Sequence, residues 1–150
     1  MALGTLFVVA PPIGNLSDIT LRAVETLKAS DIVLCEDTRV TKKLAIRFQL
    51  SAELLSYHQH STEQVKWKIF DALSQGKKIS LVTDAGTPGI SDPGNELIDF
   101  LLRENPAFSV IPIPGPSSVT AALSIAGFPA HQFIFLGFPP HKKGRNKFFS

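Results

Sequence analysis

Ile79-Ser80-Leu81-Val82-Thr83 runs straight into Asp84-Ala85-Gly86-Thr87-Pro88-Gly89-Ile90-Ser91-Asp92-Pro93-Gly94. The first segment is a short apolar run of strand length. The second holds three glycines and two prolines, which fix an unusual backbone path and let a ligand approach the main chain. Residues 93–103 then read as a helix and residues 108–111 as another strand. Strand, loop, helix and strand in that order are the repeating unit of a parallel sheet.

The same rhythm extends in both directions. Residues 5–10, 31–35 and 53–57 read as strands. Residues 16–29 read as a helix with Leu21, Val24, Leu27 and Lys28 at helical spacing, and residues 38–48 as one with Val40, Leu44 and Phe48 on a stripe. Residues 61–74 form a third helix, with Val65, Ile69, Ala72 and Leu73 inward, Ser61 as N-cap and Gln75-Gly76 as the stop. Residues 116–126 read as a helix of small residues and 131–137 as a further strand. The alternation predicts an α/β fold: a mostly parallel five-stranded sheet, helices on both faces and right-handed crossovers. Composition shifts at Gly127-Phe128-Pro129, which sets a boundary between a domain over 1–126 and a short segment over 127–150.

Composition agrees with a folded domain. Of 150 residues, 44% are hydrophobic and 19% charged, too apolar for a disordered chain. The net charge of +2 gives no electrostatic argument for nucleic acid, so only local clusters can make one. Cys35 is the single cysteine, which excludes a disulfide framework and a cysteine-based zinc site and suits a reducing cytoplasm. No stretch approaches the roughly 18 uninterrupted apolar residues of a membrane span. The start reads as intact, without a signal peptide, whereas Phe148-Phe149-Ser150 suggests the end of a fragment.

In an open α/β sheet, ligands bind beyond the carboxyl ends of the strands. Four such ends carry turn-rich or charged loops: Pro11-Pro12-Ile13-Gly14-Asn15, Glu36-Asp37-Thr38-Arg39, residues 84–94, and Pro112-Ile113-Pro114-Gly115-Pro116-Ser117-Ser118. Together on one rim they indicate a ligand cleft. Neither the dinucleotide fingerprint nor a Walker lysine is present, and prolines remove backbone donors that a phosphate cradle needs. A ligand with a planar base, an amino-acid end and no phosphate fits better.

Pro12-Ile13-Gly14-Asn15-Leu16, Glu36-Asp37-Thr38-Arg39, the 84–94 loop and Pro114-Gly115-Pro116-Ser117-Ser118 resemble, in order and spacing, the 16S ribosomal RNA cytidine-2′-O-methyltransferase family of the tetrapyrrole methylase superfamily. The chain departs from that pattern at Pro11, where the family usually has threonine. The resemblance implies a tetrapyrrole methylase N-terminal domain, with residues 127–150 leading through a first strand into a second domain. It implies S-adenosylmethionine as cofactor, lined by Pro12, Gly14, Asn15, Asp84, Ala85, Gly86, Pro88, Ile90, Ser117 and Ser118. It further implies methyl transfer to a ribose 2′-hydroxyl of 16S rRNA in the small ribosomal subunit, in the cytoplasm and without a metal.

Bland roles stand beside these. Asp84 can form an Asx-turn in its own loop, and Ser117 and Ser118 can cap the next helix. Asp37 and, after it, Glu36 are the candidates for general base; alternatively they brace the rim against Arg39 or Lys42. Arg39, Lys42, Lys43 and Arg47 share a helix, and Lys142, Lys143, Arg145 and Lys147 cluster near the end. Each set is either a solvated face or an RNA contact. His58 and His60 lack a third ligand, Trp67 is expected to pack, and Cys35 to be buried. An unpaired strand at 131–137 would favour a homodimer by edge pairing. A tetrapyrrole methyltransferase and a non-catalytic fragment remain the competing functions.

Overall fold

The computed structural model describes residues 2–92 and 94–140. Among the described residues, five strands form one sheet: β1 (Thr5–Val9), β2 (Ile32–Cys35), β3 (Glu53–Ser56), β4 (Lys78–Leu81) and β5 (Ser109–Ile113), in the order β3-β2-β4-β1-β5. Every pairing is parallel, with Leu6 beside both Ile79 and Val110, and Leu34 beside Leu81. The helices are α1 (Leu21–Lys28), α2 (Thr38–Phe48), α3 (Glu63–Ser74), α4 (Gly94–Glu104) and α5 (Ser118–Ser124).

Side chains alternate across a strand, so each strand feeds two cores. On one face, Leu6, Leu34, Ile79 and Leu81 pack against Ile69 and Leu73 of α3 and Leu97 and Leu101 of α4. On the other, Val9, Val33 and Cys35 meet Ala23 and Leu27 of α1 and Leu44 of α2. Cys35 and Leu27 are fully buried. The first two crossovers run toward one edge of the sheet along one face, and the next two run back along the other. Adjacent strands β1 and β4 therefore send their loops to opposite sides, which opens a crevice between their carboxyl ends.

Several local expectations give way to competing hydrogen bonds. The helix expected over 16–29 divides into a 3₁₀ turn, Leu16–Asp18, and α1. Thr20 Oγ1 accepts from Ala23 N–H at 3.1 Å and starts α1 afresh, leaving Leu21 exposed. Ser61 does not cap α3; its hydroxyl accepts from His58 N–H at 2.8 Å, and Thr62 takes the N-cap position. The expected strand over 131–137 is not formed. Its apolar composition suits a strand, but strand geometry persists only where a neighbour satisfies the backbone ladder. Ile134, Leu136 and Phe138 are instead exposed.

Candidate functional site

All four loops read from the sequence gather at the carboxyl rim, and hydrogen bonds tie them together. Gly86 N–H donates to Pro11 O at 3.2 Å, joining the loop after β4 to the loop after β1. Asp37 N–H donates to Asp84 Oδ1 at 3.3 Å, joining the loops after β2 and β4. Gly115 sits so close to Ala10 that a Cβ there would lie 2.9 Å from Ala10 O.

The loop after β4 is organised by Asp92. Its carboxylate accepts from Gly89 N–H at 2.8 Å, Ile90 N–H at 3.2 Å and Gly94 N–H at 2.9 Å. Asn95 Nδ2 closes the turn by donating to Gly89 O at 2.7 Å. Gly86 and Gly89 both have positive φ, +79° and +85°, where a side chain would be strained. Pro88 is buried behind them.

The predicted cofactor residues divide between two cavities. Ala85, Gly86, Ile90, Ser117 and Ser118 line one of about 160 Å³, which Phe135 and Phe138 help to close. Pro12, Gly14 and Asp84 line the other, of about 220 Å³, in the crevice between β1 and β4, with Lys43 on its wall. Asn15 and Pro88 join neither; the Asn15 side chain accepts from Ser17 N–H and caps the 3₁₀ turn. The phenylalanines escaped sequence reasoning because their run resembled a strand. Asp92 was visible only as one more loop residue.

Glu36 and Asp37 part company. Asp37 caps α2 by accepting from Arg39 N–H at 2.8 Å, and its carboxylate pairs with the Arg39 guanidinium at 2.7 Å. Those contacts hold its pKa down at about 2. Glu36 faces a cavity shared with Gln59, Ser91, Asp92 and Glu96. Partial desolvation, then the negative charges of Asp84 and Asp92, raise its pKa above the ordinary glutamate value, and His58 offsets part of this.

Arg39, Lys42, Lys43 and Arg47 are exposed along α2. Lys142, Lys143, Arg145 and Lys147 lie outside the described residues. Among the described residues, no group of three or more His, Cys, Asp or Glu could hold a metal, and His58 Nδ1 accepts from His60 N–H at 3.1 Å. Trp67 is only partly packed, its ring edge-on to Phe70 and Phe100 at 5.2 Å. No helix of the described residues is long and apolar enough to cross a membrane.

A family model described as tetrapyrrole (corrin/porphyrin) methylases matches residues 5–147. The chain is 47% identical over 144 residues to a ribosomal RNA small subunit methyltransferase I of Halalkalibacterium halodurans, covering 96% of this chain and 49% of that protein. A protein of the same description from Mesorhizobium japonicum is 47% identical over 140 residues, covering 93% and 47%. Among solved structures, a uroporphyrin-III C-methyltransferase of Thermus thermophilus complexed with S-adenyl homocysteine superposes with a TM-score of 0.60 at 24% identity, covering 91% of this chain and 57% of that one. That last likeness is one of fold. The chain spans about half the length of the curated relatives it matches.

Proposed function

This chain belongs to the tetrapyrrole (corrin/porphyrin) methylase family, and from that membership we propose that it is the methyl-donor-binding half of an S-adenosylmethionine-dependent ribosomal RNA methyltransferase. The reaction is transfer to the ribose 2′-hydroxyl of a cytidine in 16S rRNA, within the small ribosomal subunit of the cytoplasm. The observation that carries this reading is the meeting of Ala85, Gly86, Ile90, Ser117 and Ser118 around one rim cavity. The names of the RNA-methylating relatives support it over a tetrapyrrole substrate. Residues 1–126 form the cofactor domain in this reading, and 127–150 lead toward the remainder of the protein.

The cavity suits S-adenosylmethionine chemically. It has apolar walls in Ile90, Phe135 and Phe138, hydroxyls in Ser117 and Ser118, and open main chain at Gly86. Among the described residues its lining carries no basic side chain, as befits a ligand without phosphate. When bound, the sulfonium group supplies an activated methyl. The protein must hold the acceptor oxygen in line with the methyl carbon and sulfur; such positioning can contribute about 7–11 kcal/mol.

Glu36 replaces Asp37 as the candidate general base, from a neighbouring cavity that it shares with Ser91 and Asp92 of the loop after β4. A carboxylate held at about 2 by an arginine is too weak a base, whereas a raised carboxyl takes a proton more readily. Asp37 instead braces the rim. Lys42 and Lys43 carry the proposed RNA contact on α2, Arg39 being committed to Asp37. For the homodimer, exposed Phe133, Ile134, Leu136 and Phe138 are the support, in place of an edge strand.

The test is transfer of labelled methyl from S-adenosylmethionine by the protein to 30S subunits or to a precorrin. Label in 16S rRNA is expected. Label in the macrocycle alone would transfer the assignment to the tetrapyrrole branch.

A further inference from the structure

The crevice between β1 and β4 is a second cavity, and its lining differs from that of the proposed cofactor cavity. Its body is apolar: Pro12 and Leu16 from the loop after β1, Val40 and Leu44 from α2, Val82 after β4. Two charges, Asp84 and Lys43, stand in the lining beside the hydroxyls of Thr41 and Thr83. Among the described residues, Asp84 uses only Oδ1, in a long hydrogen bond from Asp37 N–H, so Oδ2 is available as an acceptor. Lys43 has no ion pair among the described residues.

A ligand matching this layout has a flat apolar body, a hydrogen-bond donor on one edge and an anion attached. An amino-bearing nucleotide has all three. We infer that this cavity seats the target base of the RNA, unstacked from its neighbours, with Asp84 accepting from the exocyclic amine and Lys43 meeting the adjoining phosphate. The inference rests on the RNA-methyltransferase reading. It reassigns Pro12, Gly14 and Asp84 from the cofactor to the acceptor nucleotide. Asp84 lines this cavity while the next two residues, Ala85 and Gly86, line the other. For a base seated here, the acceptor hydroxyl has to reach the 84–86 turn, which contributes to both cavities. A carboxylate accepts from the amine of cytosine, whereas uracil would present a carbonyl oxygen to it.

The test titrates cytidine 5′-monophosphate, uridine 5′-monophosphate and cytidine into the isotope-labelled 150-residue chain, with S-adenosylhomocysteine titrated separately. Amide shifts at Gly14, Lys43 and Asp84 are expected with the cytidine monophosphate, which should bind about tenfold more tightly than the uridine form. Asp84→Asn retains an Oδ1 acceptor for Asp37 and should bring the two nucleotides within about twofold of each other, because the amide can also donate. Lys43→Ala should weaken the monophosphate about two- to fivefold and leave cytidine unchanged. Val40→Trp, at a partly exposed position, should fill the cavity and weaken all three at least about tenfold without altering S-adenosylhomocysteine affinity. Absence of nucleotide shifts in the wild-type chain, or unchanged nucleotide affinity in Val40→Trp, overturns the inference. So does a loss of S-adenosylhomocysteine affinity in Val40→Trp, which would give the cavity to the cofactor. Failure of S-adenosylhomocysteine to bind, with nucleotide binding intact, removes the methyltransferase reading and leaves the base pocket standing.

Discussion

Replacing Asp92 with alanine removes the acceptor for three backbone N–H groups at once. Ile90 is exposed, so water replaces its lost partner. Gly94 is buried and Gly89 half-buried, and their donors are harder to satisfy. A hydrogen bond to a charged acceptor contributes about 1.5–3 kcal/mol. Two such losses, moderated by loop relaxation, give about 3 kcal/mol for Asp92→Ala. Asp92→Asn keeps one acceptor oxygen and should cost about half as much. Because this turn presents Ile90 to the cavity and continues the loop that carries Ala85 and Gly86, S-adenosylhomocysteine should bind more weakly to both variants. Urea unfolding at neutral pH gives the stability change and calorimetry the affinity. A loss below about 1 kcal/mol in Asp92→Ala, or full retention of binding, would refute Asp92 as the organiser of the loop.

Glu36→Gln should reduce methyl transfer about 10²–10⁴-fold while leaving S-adenosylhomocysteine binding intact, and the wild-type rate should fall as pH drops through the raised Glu36 pKa. Asp37 has a folded pKa of about 2 against an ordinary 3.8, so its stabilising contribution is complete above the higher value and lost as pH falls through the lower. Asp37→Asn should flatten the decline in urea midpoint over that acid range. Gly115→Ala forces a Cβ to within 2.9 Å of Ala10 O and 3.0 Å of Ala10 Cβ, and should cost about 1–3 kcal/mol in the same unfolding assay. Sedimentation at rising concentration should show self-association that Phe138→Glu suppresses, since Phe138 is exposed among other apolar side chains.

Much of the fold was legible because buried parallel strands write themselves as apolar runs. Ile32-Val33-Leu34-Cys35 is buried at every position, and its sequence is apolar throughout. Helix α3 was legible through its inward stripe, whereas α2 buries Thr41 and Leu44 and leaves Val40 of its expected stripe exposed; the gathering of the loops was legible through the rule that parallel strands place their carboxyl ends together. Competition for hydrogen bonds was less visible. Nothing in the local pattern tells whether Asn15 or Thr20 starts the helix, and each caps its own element. The 131–137 segment failed as a strand because a ladder needs a partner that composition cannot supply. At the site, the expected loops do meet at one rim, but the division of their residues between cavities depends on which side of the 84–86 turn each loop lies. The different settings of Asp37 and Glu36 have the same origin: the two are adjacent in sequence, yet only one pairs with Arg39.

Calorimetric titration of S-adenosylhomocysteine into the chain and into Ser118→Phe shows whether the rim cavity holds the methyl donor. Ser118 is exposed at the start of α5, and a phenyl ring there would occupy the cavity shared by Gly86, Ile90 and Phe135 without disturbing the core. Saturable one-to-one binding by the wild-type chain is expected, with at least about a tenfold loss in the variant. No binding by the wild-type chain, or equal affinity in the two, would contradict that placement of the methyl donor.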